Sequence, residues 1–191
     1  MSHYFIGIQV KPLLAEQLTE WQKHFMQHLP YKQWTDKEDF HITLVFLGEV
    51  DEKSIETLRN ELYYITAHTS FDLNRSGLGT FGNKHQPRVL WLGVESNPML
   101  NRIQQQVVQI CEIIGYKKEK RAYTPHITIA KKWADQKKTV TEDSWNKIIS
   151  NMPSLAEAFN VDAVELYKVH PSSTPKYEII QRFPLRHESF S

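Results

Sequence analysis

Two short strings hold most of the chemical potential of this chain. His41-Ile42-Thr43 recurs downstream as His126-Ile127-Thr128. In an extended strand, residues i and i+2 share a face. Each string would therefore present an imidazole and a hydroxyl to one side and an isoleucine to the other. An imidazole gains or loses a proton near neutral pH, its ordinary pKa being about 6.5. A threonine hydroxyl can donate to a phosphate oxygen. Two such units around one phosphorus suit in-line displacement. One neutral His takes a proton from the attacking oxygen, and one protonated His gives a proton to the leaving oxygen on the far side. The threonines hold the non-bridging oxygens as charge develops on them. A single His-x-Thr is a weak signal, because a strand histidine is more often a hydrogen-bonded structural residue. The weight lies in finding two at matching places.

The elements around the two strings match as well. Tyr4 to Val10 and Arg88 to Val94 both read as short buried strands. Each is followed by a helix with a proline at its start, Pro12 and Pro98, where the missing N–H costs nothing. Leu14, Leu18, Trp21 and Phe25 share one face of the first helix. Leu100, Ile103, Val107, Ile110 and Ile114 do so in the second, with Gly115 as its stop. After each His-x-Thr strand comes another helix, about Glu52 to Ala67 with Asp51 as its cap, and about Glu142 to Asn151. Further strands start at Phe71-Asp72-Leu73 and at Phe159-Asn160-Val161-Asp162-Ala163-Val164. The order strand, helix, His-x-Thr strand, helix, strand thus occurs twice, which predicts a duplicated unit over about residues 3–80 and 88–170. A C-terminal hairpin over about 160–186 completes a single α+β domain spanning 1–191. Paired about a pseudo-twofold axis, the copies would set their histidines across a shared cleft.

Composition narrows the function classes. The chain has 191 residues, 40% hydrophobic and 24% charged, with a net charge of +1. That is an ordinary globular balance. It argues against a basic coat wrapping long nucleic acid and leaves room for a local basic site. One cysteine, Cys111, allows no disulfide within the chain and no cysteine-based zinc site, and reads as a small buried hydrophobe. Seven scattered glycines form no phosphate-cradling G-x-x-x-x-G-K loop, which disfavours a nucleoside triphosphatase. His24 and His28 have metal-binding spacing but no third ligand, so they read as a solvated helix face. No metal site and no cofactor is assigned. The start of the chain does not resemble a signal peptide, and no apolar run approaches ~18 residues. A cytoplasmic monomer without membrane contact is the expectation.

With these residues in hand, the chain resembles the 2H phosphoesterases, in particular the bacterial RNA 2',3'-cyclic phosphodiesterases, also called 2'-5' RNA ligases. The resemblance rests on Phe5-Ile6-Gly7-Ile8, Phe40-His41-Ile42-Thr43-Leu44-Val45-Phe46-Leu47-Gly48, Pro87-Arg88-Val89-Leu90-Trp91-Leu92-Gly93-Val94 and Tyr123-Thr124-Pro125-His126-Ile127-Thr128-Ile129-Ala130. Tyr177 followed by Phe183-Pro184-Leu185 resembles the family's ending. The resemblance implies a bilobal fold, two antiparallel sheets lining a central groove with helices outside. It implies hydrolysis of a 2',3'-cyclic phosphate at an RNA end to a 2'-phosphomonoester, with His41 as proton donor and His126 as proton acceptor. The residues alone do not order those two roles. Two departures stand out. Lys131 occupies a place where the family commonly has Arg, losing the bidentate fork. His170-Pro171-Ser172-Ser173-Thr174-Pro175 replaces the family's usual Ser and Gly in the C-terminal hairpin.

Four further residues are candidates for substrate contact: Lys131, Trp34, Tyr123 and Arg121. Lys117, Lys118, Lys120 and Arg121 before the second motif, with Lys131 and Lys132 after it, read either as a basic mouth for RNA phosphates or as solvated loop charge. A regular strand would point Lys131 away from His126, so only a bulge or a strand end brings it to the site. Trp34, in a loop-like stretch, either stacks on a base or packs on the core. Tyr123 would line the groove, whereas Phe5 fits the core better. The alternatives to RNA-end hydrolysis are a phosphodiesterase for small cyclic nucleotides or 2'-5' oligonucleotides, and a binding module of the same fold without turnover. Ligation is the reverse reaction of the same site.

Overall fold

The computed structural model describes residues 2–187. In chain order its elements are β1 (Ser2–Gln9), α1 (Pro12–Met26), β2 (Tyr31–Trp34), β3 (His41–Val50), α2 (Glu52–Leu62), β4 (Phe71–Gly82), β5 (Pro87–Val94), α3 (Pro98–Glu112), β6 (His126–Trp133), α4 (Glu142–Ile149), β7 (Ala158–Val161), β8 (Ala163–Val169) and β9 (Tyr177–Pro184). Short 3-10 turns cover Lys37–Asp39 and Tyr63–Ala67.

The helix ends follow their capping chemistry. Asn97 Oδ1 accepts from the Met99 and Leu100 amides, opening α3. Asp51 Oδ1 accepts from Ser54 N at 3.0 Å, opening α2. Thr141 and Ser144 form a reciprocal capping box at α4. Gly115 adopts φ +86, the left-handed conformation that closes α3. Two helical spans are shorter than the sequence predicts. α2 stops at Leu62 and the chain tightens into the 3-10 turn Tyr63–Ala67, which leaves Tyr63 and Tyr64 exposed. α4 stops at Ile149.

The strands form one antiparallel, curled sheet in the order β7-β4-β5-β6-β3-β1-β8-β9, with β2 on the edge of β6. Two separate sheets are the expectation from sequence. Instead β3 and β6 meet where Ile42 pairs with Ile127, so the hydrogen-bonded path runs through both motifs. Both isoleucines are fully buried, and the drive to bury them at one place brings the two strands together. β7 pairs with the first part of β4, while β8, beginning one residue later, pairs with β1. The path of strands therefore bends back on itself.

β2 has no counterpart in the sequence reading, which takes this stretch as loop. Four residues are too few to show a period, and its pairing with β6 decides the conformation. The predicted strand from Phe159 to Val164 is divided at Asp162, whose carboxylate binds Lys11 and Arg182.

Leu14, Leu18 and Phe25 of α1 and Leu100, Ile103 and Val107 of α3 are buried in one core cluster with Ile42 and Ile127. Each such side chain contributes roughly 1.5–3 kcal/mol by leaving water. Cys111 lies fully buried among them. His24 departs from its expected solvated face. Its Nε2 lies 2.9 Å from the Ile148 carbonyl, tying α1 to α4. Among the described residues no helix is long and apolar enough to cross a membrane.

Candidate active site

Alternation along β3 buries Ile42 and Leu44 and leaves His41 and Thr43 half-buried on the opposite face. β6 does the same with Ile127 and Ile129 against His126 and Thr128. In an antiparallel pair centred on Ile42 and Ile127, His41 stands level with Thr128 and Thr43 with His126. The four polar side chains share the face away from the helices.

Each imidazole is held by its own strand. His41 Nδ1 lies 2.7 Å from the Asp39 carbonyl, and His126 Nδ1 lies 2.7 Å from the Thr124 carbonyl. A carbonyl only accepts, so Nδ1 carries the proton in both rings and donates it. Nε2 is left as the working nitrogen. In His41 it sits 3.0 Å from Thr43 Oγ1. Aromatic rings then fix each imidazole from the side. Phe5 and Tyr177 flank His41 with ring centres 4.6 and 5.1 Å away. Phe81 and Trp91 flank His126 at 5.0 and 5.6 Å.

Burial lowers the pKa of His41 to about 4, and the positive charges of Lys131 and His126 add to this against the raising effect of the Asp39 carbonyl. His126 is also lowered, first by burial and then by Lys131. Both shifts favour the neutral ring in the free protein at neutral pH.

Lys131 reaches this face through a bulge. Leu90 pairs with Ala130 but Trp91 pairs with Thr128, so Ile129 is the extra residue in β6. Ile129 and Ala130 are buried in succession, and alternation resumes one residue out of phase. The bulge is stitched from three sides. Gln22 Nε2 donates to the Ile129 carbonyl at 3.0 Å and to the Thr35 carbonyl at 2.8 Å. The Thr35 amide donates to Ile129 O at 3.0 Å, and Thr35 Oγ1 donates to Thr128 O at 2.9 Å.

β3 uses the same device. Ile6 pairs with Val45 and Gly7 with Thr43, leaving Leu44 as the extra residue. Phe46, at the same distance from His41 as Lys131 is from His126, then emerges 53% exposed. A Cβ on Gly7 would meet the Ile42 carbonyl at 2.7 Å, so only glycine lets β1 approach the motif this closely.

The other sequence candidates divide. Trp34, at the end of β2, borders a cavity beside Lys131 and Tyr177. Tyr123 donates its hydroxyl to the Thr43 carbonyl at 2.9 Å, joining the segment before β6 to β3. Arg121 is not brought to the site. It is 89% exposed, with Glu119 as its partner at 3.3 Å. Sequence reasoning missed Asp39 and Lys176 as wall residues. They carry no local pattern and meet only through the return of the C-terminal hairpin. Among the described residues no three His, Cys, Asp or Glu side chains converge as a metal-ligand set.

The family model of the 2'-5' RNA ligase superfamily matches residues 10–172. The chain belongs to that superfamily. Its similarity to curated members runs the length of the chain. An RNA 2',3'-cyclic phosphodiesterase of Geobacillus stearothermophilus is 34% identical over 185 residues, which cover 96% of this chain and 57% of that protein. The chain thus spans little more than half the length of that relative. One from Bacillus subtilis (strain 168) is 32% identical over 184 residues, covering 96% of each. The superfamily fold is also that of E. coli LigT, solved in complex with 3'-AMP. The two superpose with a TM-score of 0.77 over 96% of this chain and 98% of that one, at 22% identity.

Proposed function

We propose that this superfamily member hydrolyses 2',3'-cyclic phosphate ends of RNA to 2'-phosphomonoesters. The observation that carries the reading is the pair of Nδ1-anchored imidazoles, each beside a threonine, on the two strands that meet at Ile42 and Ile127. A water oxygen attacks phosphorus and the P–O3' bond breaks. His126 Nε2 takes the proton from the water, and His41 Nε2 supplies one to O3'. Thr43 and Thr128 donate to the non-bridging oxygens. For His41 to act as the acid it must be protonated in the complex. The phosphate anion favours this, because a nearby negative charge raises a histidine pKa. Trp34 and Tyr123 belong to the walls in this reading, and Arg121 lies outside it. The doubled order β1-α1-β3-α2-β4 and β5-α3-β6-α4-β7 supports an origin by duplication.

A second reading exchanges the two histidines. It is favoured by the lowering of His41 to about 4, which makes His41 the neutral base of the free protein.

The experiment uses a short RNA ending in a 2',3'-cyclic phosphate, incubated with excess chelator. The expected product is a 2'-phosphate end. His41→Ala and His126→Ala should each lower kcat by about 10²–10⁴ while leaving RNA binding largely intact. An aryl phosphodiester with a good leaving group, needing no acid, should restore turnover in the variant that lacks the acid and not in the other. No turnover of the RNA by wild type would sink the reading and direct attention to small cyclic nucleotides and 2'-5' oligonucleotides.

A further inference from the structure

Next to His41 the groove opens into a cavity of about 170 Å³, lined by Gln33, Trp34, Asp39, Lys131, Lys176 and Tyr177 among others. Its wall is shared with the candidate active site. The rings of Tyr177 and His41 meet at nearly a right angle, and the Asp39 carbonyl holds His41 Nδ1. Anything bound in the cavity therefore lies on the His41 side of the candidate active site.

Lys131 and Lys176 both line this small space. Among the described residues neither Lys131 nor Lys176 forms an ion pair with a carboxylate. Two carboxylates do border the cavity, and both are engaged by backbone amides. Asp39 Oδ1 accepts from Lys176 N at 3.1 Å and from Tyr177 N at 3.0 Å, and its Oδ2 accepts from Lys176 N at 2.8 Å. Asp36 Oδ1 accepts from Glu38 N at 2.9 Å. Lys131 is held below the ordinary lysine pKa by burial, then by the positive charges of Lys176 and Lys132. The two lysines repel each other, and an anion held between them relieves that cost.

We propose that this cavity is a second anion subsite, in which Lys131 and Lys176 hold the 5'-phosphate group of the nucleoside whose 2',3'-cyclic phosphate lies between His41 and His126. This rests on the functional reading above. On an RNA end, the 5'-phosphodiester of the terminal nucleoside is the nearest anionic group to the cyclic phosphate. A neutral base would fit against Trp34 but would leave both lysines without an ion-pair partner. The subsite makes the protein a reader of RNA ends rather than of free cyclic nucleosides, because a nucleoside 2',3'-cyclic phosphate with a 5'-hydroxyl leaves it empty.

The test compares kcat/KM on adenosine 2',3'-cyclic phosphate, its 5'-phosphorylated form, and a diadenosine RNA ending in the cyclic phosphate. Wild type should prefer the two substrates carrying a 5' phosphorus over the 5'-hydroxyl one by about tenfold or more, the effect of one charge-assisted contact. Lys176→Gln should reduce that ratio about tenfold, and Lys176→Arg should keep most of it. Because the readout is a ratio within one variant, partial misfolding does not alter it. A preference for the diadenosine alone would place the source in the RNA chain rather than in the phosphate, and would overturn the subsite. Equal rates on all three substrates, or a preference that survives Lys176→Gln, would do the same while leaving the hydrolytic reading standing. Hydrolysis of none of the three by wild type would overturn that reading and the subsite together.

Discussion

His41 and His126 sit in the same tripeptide, and each gives its Nδ1 proton to the carbonyl two residues upstream. Their surroundings are not the same. The Thr43 hydroxyl and the rings of Phe5 and Tyr177 close around His41, and it is this ring that is lowered to about 4. The sign of the consequence is fixed by linkage. Between about pH 6.5 and 4 the unfolded chain binds a proton at this ring that the folded chain refuses, so stability falls as pH drops through that window. Above about 6.5 this ring makes stability independent of pH. The loss is on the order of 3 kcal/mol at most, less what screening by solvent removes. Denaturant titrations of wild type and His41→Gln between pH 4 and 7 should show a shallower acid limb in the variant. Equal limbs would mean that His41 titrates near its ordinary value.

At the scale of elements, two bulges do what strand periodicity cannot. One at Ile129 turns Lys131 onto the histidine face, and one at Leu44 turns Phe46. The first depends on Gln22, a buried amide from α1 that spans the Ile129 carbonyl of β6 and the Thr35 carbonyl just after β2. Gln22→Leu removes both donors while leaving the carbonyls buried, which costs about 1–3 kcal/mol. Freed of this stitch, the bulge should let Lys131 wander. The expected kinetic signature is a KM for cyclic-ended RNA raised severalfold with a smaller change in kcat. An unchanged KM would show that Thr35 alone is enough to hold the bulge. The sequence reading recognised that Lys131 needs a bulge but not where the bulge would come from, because Gln22 is distant in the chain.

For the molecule as a whole, the hydrogen-bonded path runs from β7 to β9 without a break, and one core cluster spans α1, α3 and both motif strands. The expected halves at 3–80 and 88–170 are therefore not independent in stability. Leu18→Ala, at a fully buried position in α1, should cost about 2–5 kcal/mol. It should shift a single transition rather than detach the first half. Tryptophan fluorescence and far-UV circular dichroism should give coincident denaturation curves, since Trp21 and Trp34 lie in one half and Trp91, Trp133 and Trp145 in the other. Separate midpoints would mean that the join at Ile42 and Ile127 does not couple them.

The features legible in the residues alone are local ones. The two tripeptides, the paired prolines, the apolar helix stripes and the Asp51 cap depend on neighbours within a few residues, so their spacing is enough to read them. Family membership was legible for the same reason, through the strings Phe40 to Gly48 and Tyr123 to Ala130. Which residues meet is a matter of the folded molecule. It joined two expected sheets through a pair of isoleucines, made a strand of Tyr31–Trp34 by giving it a partner, and left Arg121 in solvent. It also brought Lys176 to Lys131, by letting Asp39 capture the amides that begin β9. Contacts between distant parts of a chain are set by the burial of apolar faces and the satisfaction of buried polar groups. Neither leaves a periodic trace in the residues that end up as neighbours.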